Sequence, residues 1–308
     1  MMSFSHNKMS KTQEDKTANC PVCHSTRTQY AFSIPEAPVV RCADCHFLFL
    51  HPQPSDEVLR RIYTETYFLG ATDEGMRAQV AALKTATAGL YLDQLARHGI
   101  CGGRLLEVGC GDGYLLAAAE RRGFEVVGVE YSEHAAQRAR AGLTRGQVLV
   151  GELAQVDLPS ESFDVCILAD VIEHVRDPRS FLTTVRERLK PGGCLLIATP
   201  TTDSWSARLM RKRWMEFKTE HMSYFSRRTL ESLLSQTGFQ SSQFFTGYKM
   251  ISLHYVKAHF ESYPVPLWTS LVRFAFGWLP SSWLNKPRRL AGSGMLVLAT
   301  KDCAPSSK

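Results

Sequence analysis

The sequence predicts an α/β fold: a mostly parallel sheet of seven strands with flanking helices, preceded by a small cysteine-rich segment. Between residues 101 and 200, short apolar runs alternate with helical patterns, which is typical of βαβ units. Near the N-terminus, four cysteines form two Cys-x-x-Cys pairs. The 308 residues are 44% hydrophobic and 21% charged, so wholesale disorder is excluded and a large core is expected.

The chain divides into four predicted parts. Residues 1–18 are polar and are predicted to be a disordered tail, and residues 19–50 hold the paired cysteines. Residues 51–100 open with the helix breaker HPQPSDE, turn alanine-rich, and are predicted to be a helical linker ending at Gly99. Residues 101–308 are predicted to form the main domain.

Periodicity and capping residues predict the elements of the main domain. Strands are predicted at 104–109, 124–130, 147–150, 163–170, 194–200, 239–247 and 294–301. Helices are predicted at 113–122, 133–141, 178–190 and 227–237. Ser132 is the expected N-cap of the second helix, and Pro191-Gly192-Gly193 is interpreted as a turn. Segments 201–228 and 248–293 are predicted to be insertions that cover a substrate.

The net charge of +6 is concentrated in these two insertions. Segment 201–228 has seven Lys or Arg against three Asp or Glu, and segment 248–293 has six against one. Two interpretations stay open: a solvated basic face, or attraction to an anionic substrate or membrane surface. The sequence thus leaves an anionic substrate open.

Residues 263–284 are apolar and aromatic, with Arg273 as their one charge. A helix over 267–279 would be ~20 Å long, too short for a ~30 Å bilayer core. It could be a core helix, a pocket lid, a dimer face or an interfacial helix, and the basic run from Lys286 to Arg289 favours an anionic surface. The sequence thus predicts a cytoplasmic protein, with no secretory signal at its polar start. Peripheral membrane contact through 263–289 remains open.

A glycine-rich loop is the densest motif. EVGCGDG, residues 107–113, lies between a predicted strand and a predicted helix, where glycines permit positive φ and close approach of a ligand to backbone N–H groups. Glu130 follows 17 positions after Gly113 and could accept hydrogen bonds from ribose hydroxyls. No Lys-Ser/Thr follows, and the loop's carboxylates oppose a pyrophosphate but suit a cationic amine and sulfonium, as in S-adenosylmethionine. The candidate cofactor-binding residues here are Glu107, Gly109, Gly111, Asp112, Gly113 and Glu130.

Over roughly residues 85–245 the sequence resembles the class I S-adenosylmethionine-dependent methyltransferases. The matching segments are EVGCGDG, VEYS at 129–132, GELAQVDLPSESFDVCILADVIEHVRDP at 151–178, and LKPGG followed by LLIATP. The resemblance implies a Rossmann-like fold and methyl transfer from S-adenosylmethionine. It also implies that Glu130 is the ribose ligand, that Glu152 and Leu153 lie at the adenine, and that the backbone near Asp170 meets the methionine amine. Tyr131, next to Glu130, is a further candidate cofactor-binding residue.

The four early cysteines predict a metal site. Cys20, Cys23, Cys42 and Cys45 can supply four thiolates to tetrahedral zinc, which would leave no open position for catalysis by the metal. The segment resembles the zinc ribbon that precedes some methyltransferase domains. A structural or recognition role is expected.

Three residues are candidates at the methyl-transfer site. EHMSYFS, at 220–226, resembles a histidine-bearing segment after the fifth strand of a methyltransferase subgroup, so His221 is the first candidate base. A structural contact that closes the pocket is its alternative. Glu173 and His174 are either at the reacting groups or structural at a helix entry.

Taken together, these features predict an enzyme, an S-adenosylmethionine-dependent methyltransferase acting on a sugar, lipid or natural-product intermediate. One alternative is a binding protein that keeps the cofactor fold and the ribbon without turnover. The other is a nucleic-acid methyltransferase. No Asn/Asp-Pro-Pro-Tyr/Phe sequence follows the fourth predicted strand, which favours a small-molecule or carrier-linked acceptor over nucleic acid. The acceptor, the methylated atom and the oligomeric state stay open.

Overall fold

Two β-sheets organise the molecule, one of seven strands and one of four. A computed structural model of the chain describes residues 18–35, 37–62, 74–262 and 268–302. The predicted tail before residue 18, and residues 63–73 and 263–267 of the predicted linker and aromatic segment, lie outside the described residues. The strands are β1 (Thr28–Ile34), β2 (Ala37–Cys42), β3 (Leu48–Leu50), β4 (Gly103–Val108), β5 (Phe124–Glu130), β6 (Gln147–Val150), β7 (Phe163–Ala169), β8 (Leu189–Pro200), β9 (Ser223–Tyr224), β10 (Phe239–Ile251) and β11 (Arg288–Lys301).

The large sheet has the order β10-β11-β8-β7-β4-β5-β6. Strands β4 to β8 pair in parallel, and β11 runs antiparallel to both β8 and β10. The predicted α/β fold with a seven-stranded, mostly parallel sheet is confirmed. In such a sheet, ligands bind beyond the carboxyl ends of the parallel strands.

Ten α-helices are found in the described part of the chain, and one of them begins at the N-cap that the sequence predicts, Ser132. They are α1 (Asp56–Ile62), α2 (Glu74–Arg97), α3 (Tyr114–Arg121), α4 (Glu133–Ala141), α5 (Pro178–Arg188), α6 (Trp205–Met210), α7 (Arg227–Gln236), α8 (Leu253–Ser262), α9 (Trp268–Gly277) and α10 (Ser281–Leu284). The Ser132 hydroxyl accepts from the Ala135 N–H at the start of α4. The Ser226 hydroxyl caps α7 in the same way, through the Thr229 N–H.

Three strands are longer than the sequence predicts. β8 begins at Leu189 rather than residue 194, because the predicted Pro191-Gly192-Gly193 turn lies within it as an irregularity in the pairing with β7. β10 extends to Ile251 and β11 begins at Arg288. The excursion between these two strands is therefore shorter than 248–293.

The N-terminal sheet is continuous with the segment that follows β8. Its order is β1-β2-β3-β9, so β9, from the predicted 201–228 insertion, forms its edge. The Leu50 N–H donates to the Met222 carbonyl (3.0 Å), and the Phe47 ring centre lies 5.1 Å from that of Phe225. Phe47 and Phe225 belong to the same buried cluster as Leu106 of β4, so the ribbon segment shares the main core.

The described helices include none that is both long and apolar enough to cross a membrane.

Candidate functional site

The glycine loop between β4 and α3 is held in a conformation that requires its glycines. Gly109, Gly111 and Gly113 all have positive φ, between 52° and 77°. A Cβ at Gly109 would lie 2.6 Å from Val171 Cγ2, and one at Gly113 would lie 2.8 Å from Ala139 Cβ. A Cβ at Gly111 would meet no atom within 4 Å. A side chain at Gly109 or Gly113 would therefore clash with a neighbouring residue, whereas Gly111 faces open space.

Glu130 ends β5 and fastens the loop. Its Oε2 accepts from the Gly111 N–H (2.8 Å) and its Oε1 accepts from the Ser132 N–H (2.9 Å). The side chain is buried at the sheet edge. A carboxylate has about four acceptor sites, so each oxygen retains capacity for a ligand hydroxyl.

A cavity of about 380 Å³ opens beside this loop. Five of the predicted cofactor-binding residues line it: Glu107, Gly109, Gly111, Asp112 and Asp170. Its other walls come from α2, including Thr87 and Tyr91, and from the end of β10. Its volume is in the range of small-molecule sites.

One buried carboxyl oxygen in the cavity wall has no hydrogen-bond partner. Glu107 is 4% exposed, its Oε2 has no hydrogen-bond partner, and burial raises the pKa of its carboxyl well above the ordinary value. A cationic amine would supply the missing partner. Asp112 differs, because its Oδ1 already accepts from Arg138 Nη2 at 2.7 Å.

This cavity is not lined by the other predicted cofactor-binding residues, which are Gly113, Glu130, Tyr131, Glu152 and Leu153. Tyr131 is 75% exposed and Glu152 is also exposed, whereas Leu153 is buried in the core. The Gly151 N–H donates to the Glu130 carbonyl (3.0 Å), so the loop after β6 does lie against Glu130. The adenine assignments stay predictions.

The structure brings Glu173, His174 and His221 together. One donor atom of each lies within 4.8 Å of the other two, and the imidazole ring centres are 4.6 Å apart. The Glu173 Oε2 accepts from the Thr199 hydroxyl (2.8 Å), while its Oε1 is buried without a hydrogen-bond partner. A carboxylate with two imidazoles is also a donor set that could hold a divalent cation.

Backbone carbonyls orient both imidazoles. His174 Nδ1 contacts the Glu220 carbonyl and His221 Nδ1 contacts the Glu216 carbonyl, each at 2.9 Å. Because a carbonyl only accepts, Nδ1 carries the proton in each neutral ring, and the lone pair is on Nε2.

Burial sets the protonation of this trio. It lowers the pKa of His174 to about 4 and that of His221 well below 6.5, with the neighbouring His174 adding to the second shift. Burial, reinforced by the charge of Asp170, raises the pKa of Glu173 to about 8. At neutral pH both imidazoles are therefore uncharged. None of the three lines the cavity, but Glu173 and His174 follow the cavity residue Asp170 by three and four positions, so the trio lies near it.

Sequence reasoning missed part of the cavity wall. Lys249 of β10 lines the cavity and pairs with Asp170 (Nζ to Oδ2, 2.6 Å), yet the sequence places it in an insertion. Helix α2, predicted as a linker, forms another wall. For Lys249, the one local signal in the sequence was its position as a lone lysine within the mostly apolar residues 248–253.

The four early cysteines converge as two matching turns. The Sγ atoms of Cys20 and Cys45, and those of Cys23 and Cys42, are 3.5 Å apart, and all four lie within 4.8 Å of one another without a disulfide. Each Cys-x-x-Cys turn closes with the same backbone hydrogen bond. The His24 N–H donates to the Cys20 carbonyl, and the His46 N–H donates to the Cys42 carbonyl. Zn–S bonds of about 2.3 Å in a tetrahedron separate the sulfurs by about 3.8 Å, so the set fits zinc.

Comparison with known proteins points to one family. Residues 76–243, more than half of the chain, match the family model described as "Methyltransferase domain". A Mycolicibacterium smegmatis protein named "Probable S-adenosylmethionine-dependent methyltransferase" is 39% identical over 110 residues, which is 34% of this chain and 42% of that protein. A ubiquinone biosynthesis O-methyltransferase of Alkalilimnicola ehrlichii is 38% identical over 119 residues, 36% of this chain and 47% of that protein.

The match to these curated relatives spans less than half of their length. Among solved structures, the YcgJ protein of Bacillus subtilis aligns with a TM-score of 0.50 and 16% identity, over 70% of this chain and 99% of that one. At that identity the likeness concerns the fold alone. From the family match over residues 76–243, the chain belongs to the methyltransferase domain family.

Proposed function

We propose that this chain transfers a methyl group from S-adenosylmethionine to a small-molecule or carrier-linked acceptor, such as a sugar, lipid or natural-product intermediate. The observation that carries the proposal is the juxtaposition of two features at the carboxyl edge of the parallel sheet. One is the cavity bounded by the glycine loop, with the unpartnered Glu107 oxygen in its wall. The other is the pair of neutral, oriented imidazoles, of which His174 follows the cavity residue Asp170 by four positions.

The donor side would be held by groups already in place. Glu130 would accept from the ribose hydroxyls, Glu107 would meet the amine, and the open space at Gly111 admits the ligand close to the backbone. When bound, S-adenosylmethionine supplies an electrophilic methyl group on a sulfonium. Glu107 is the carboxyl left for the cationic part of that ligand, since Asp112 pairs with Arg138 and Asp170 pairs with Lys249.

The acceptor side would be served by His221. Its Nδ1 proton is held by the Glu216 carbonyl, so Nε2 can take a proton from an acceptor hydroxyl during transfer. Its lowered pKa keeps it unprotonated at neutral pH, while the buried surroundings exclude competing water. The O-methyltransferase name of some relatives supports an oxygen acceptor.

The cysteine cluster is proposed to hold one structural zinc. All four positions would be filled by thiolates, so the ion would act by fixing the ribbon. Because β9 belongs to the ribbon sheet and follows His221 by two residues, a fixed ribbon would also position the proposed base.

The test uses radiolabelled S-adenosylmethionine and a fractionated extract of cells that lack this protein. Wild type should bind the donor by calorimetry and transfer label to at least one fraction. His221→Ala should keep donor affinity and lose most transfer, whereas His98→Ala, at the C-terminal end of α2, is the control for replacing a histidine. Absence of donor binding by wild type would refute the proposal. Binding without single-turnover transfer to any fraction would favour a non-catalytic protein.

A further inference from the structure

Helix α9 carries an apolar face that nothing in the described part of the chain covers. Leu271, Phe274, Ala275 and Trp278 recur with the spacing of one helix face. Leu271 is 55% exposed, Phe274 is 72% exposed, and Trp278, just after the helix, is 83% exposed. A contiguous exposed apolar face marks an interaction surface.

Basic and aromatic side chains border this face. Trp283 of α10 is 60% exposed, and the Arg288 guanidinium lies 5.4 Å from its ring centre. Lys286 is also exposed. Six Lys or Arg lie between 248 and 293; of these, Lys249 pairs with Asp170 in the cavity wall and Arg273 pairs with Glu261, the one acidic residue of the segment. Apolar aromatic residues with a basic border match the chemistry of an anionic bilayer surface.

The surface adjoins the mouth of the cavity. Ile251 lines the cavity, and α8, which packs against α9, begins two residues later. The Gln79 side chain of α2 donates to the Asn285 side chain (3.3 Å), just after α10. A bilayer that contacts α9 would therefore lie beside the cavity.

We propose that the α9–α10 surface docks this protein onto anionic lipid bilayers, and that the acceptor is presented from that membrane. The second clause rests on the proposed methyl transfer, whereas the docking does not. A second copy of the chain is a weaker fit for the face, because a two-fold interface would bring the basic borders of both copies together.

The docking is tested by flotation of the full-length protein with vesicles. Phosphatidylcholine vesicles containing phosphatidylglycerol should carry the protein upward, and phosphatidylcholine alone should not. High salt should weaken binding, because the charges involved are exposed. The double variant Phe274→Ser, Trp278→Ser should bind about tenfold less or weaker still, and Lys286→Glu about fivefold less or weaker still. Tyr30→Ser and Arg121→Glu change an exposed aromatic and an exposed charge elsewhere, and both should bind like wild type.

Two results would overturn the proposal. One is vesicle binding that does not depend on this surface: either the wild type does not bind anionic vesicles, or the Phe274→Ser, Trp278→Ser variant binds them as well as the wild type does. The other is a wild-type dimer in sedimentation equilibrium that the same double variant dissociates, because the face would then be a subunit interface. Donor affinity, measured in parallel, shows that each variant is folded. A failure of docking thus stays separate from a failure of the proposed methyl transfer.

Discussion

Replacing Glu130 by alanine should damage both donor binding and the loop that makes the site. The carboxylate accepts two backbone hydrogen bonds, from the Gly111 N–H at 2.8 Å and from the Ser132 N–H at 2.9 Å. Hydrogen bonds to a charged group contribute about 1.5–3 kcal/mol each. Losing both should lower the free energy of unfolding by about 3 kcal/mol or more, since the two N–H groups lose their acceptor.

Affinity for the methyl donor should fall by more than the destabilised glycine loop alone would cause. The proposed ribose contact is another bond to the same carboxylate, so its loss should weaken binding about ten- to hundredfold. Denaturant unfolding gives the first quantity, and titration calorimetry with S-adenosylhomocysteine gives the second.

Glu133→Ala is the matched control for Glu130→Ala. Glu133 is three residues away, and its side chain is 55% exposed and pairs with Arg140. Such surface pairs contribute about 0–1 kcal/mol, so donor affinity should be unchanged and stability nearly so. Unchanged donor affinity in Glu130→Ala would show that the donor pocket lies elsewhere. Unchanged stability would show that the two backbone bonds do not hold the loop.

Three further predictions concern the acceptor side and the ribbon. His221→Ala should leave donor affinity intact and lower acceptor-saturated turnover by ~10²–10⁴; full activity would move the role of base to His174. Cys42→Ser with Cys45→Ser should abolish one zinc per chain in metal analysis and reduce turnover more than donor affinity, and a folded but metal-free wild-type ribbon would contradict this. The free energy of unfolding should depend on pH through two buried groups of the trio. Because the pKa of His174 is lowered to about 4, its contribution is lost as pH falls from 6.5 towards that value. Because the pKa of Glu173 is raised to about 8, its contribution is lost as pH rises from 4.5 towards that value. Unfolding titrations should show that His174→Asn flattens only the acid limb and Glu173→Gln only the alkaline limb.

Local signals explain why much of the fold could be predicted from the sequence. β5 and β6 have the predicted bounds, because each is a short apolar run bounded by turn or cap residues. β9 could not be predicted. It has two residues, and its partner β3 lies about 175 positions away in the sequence, so no local pattern marks it.

The candidate site divides along the same line. The glycine loop and Glu130 are encoded within one βαβ unit, and the structure joins them through the hydrogen bond from the Gly111 N–H. The pairing of Lys249 with Asp170 joins positions 79 residues apart, and it depends on how far β10 extends. The approach of His174 to His221 was not predictable from spacing either, although both were chosen as candidates for their chemistry.

The completion of the ribbon sheet by β9 has a consequence for the order in which the chain folds. The two cysteine pairs are within 26 residues of sequence and can close soon after synthesis, since short loops close at low entropic cost. The edge of β3 then stays unpaired and the apolar ring of Phe47 stays uncovered until Tyr224 and Phe225 emerge from the ribosome, much later. Unpaired strand edges promote aggregation in this interval. Early zinc binding would keep the two cysteine turns folded during this interval. Nascent chains made without zinc should therefore depend more on chaperones than chains made with it.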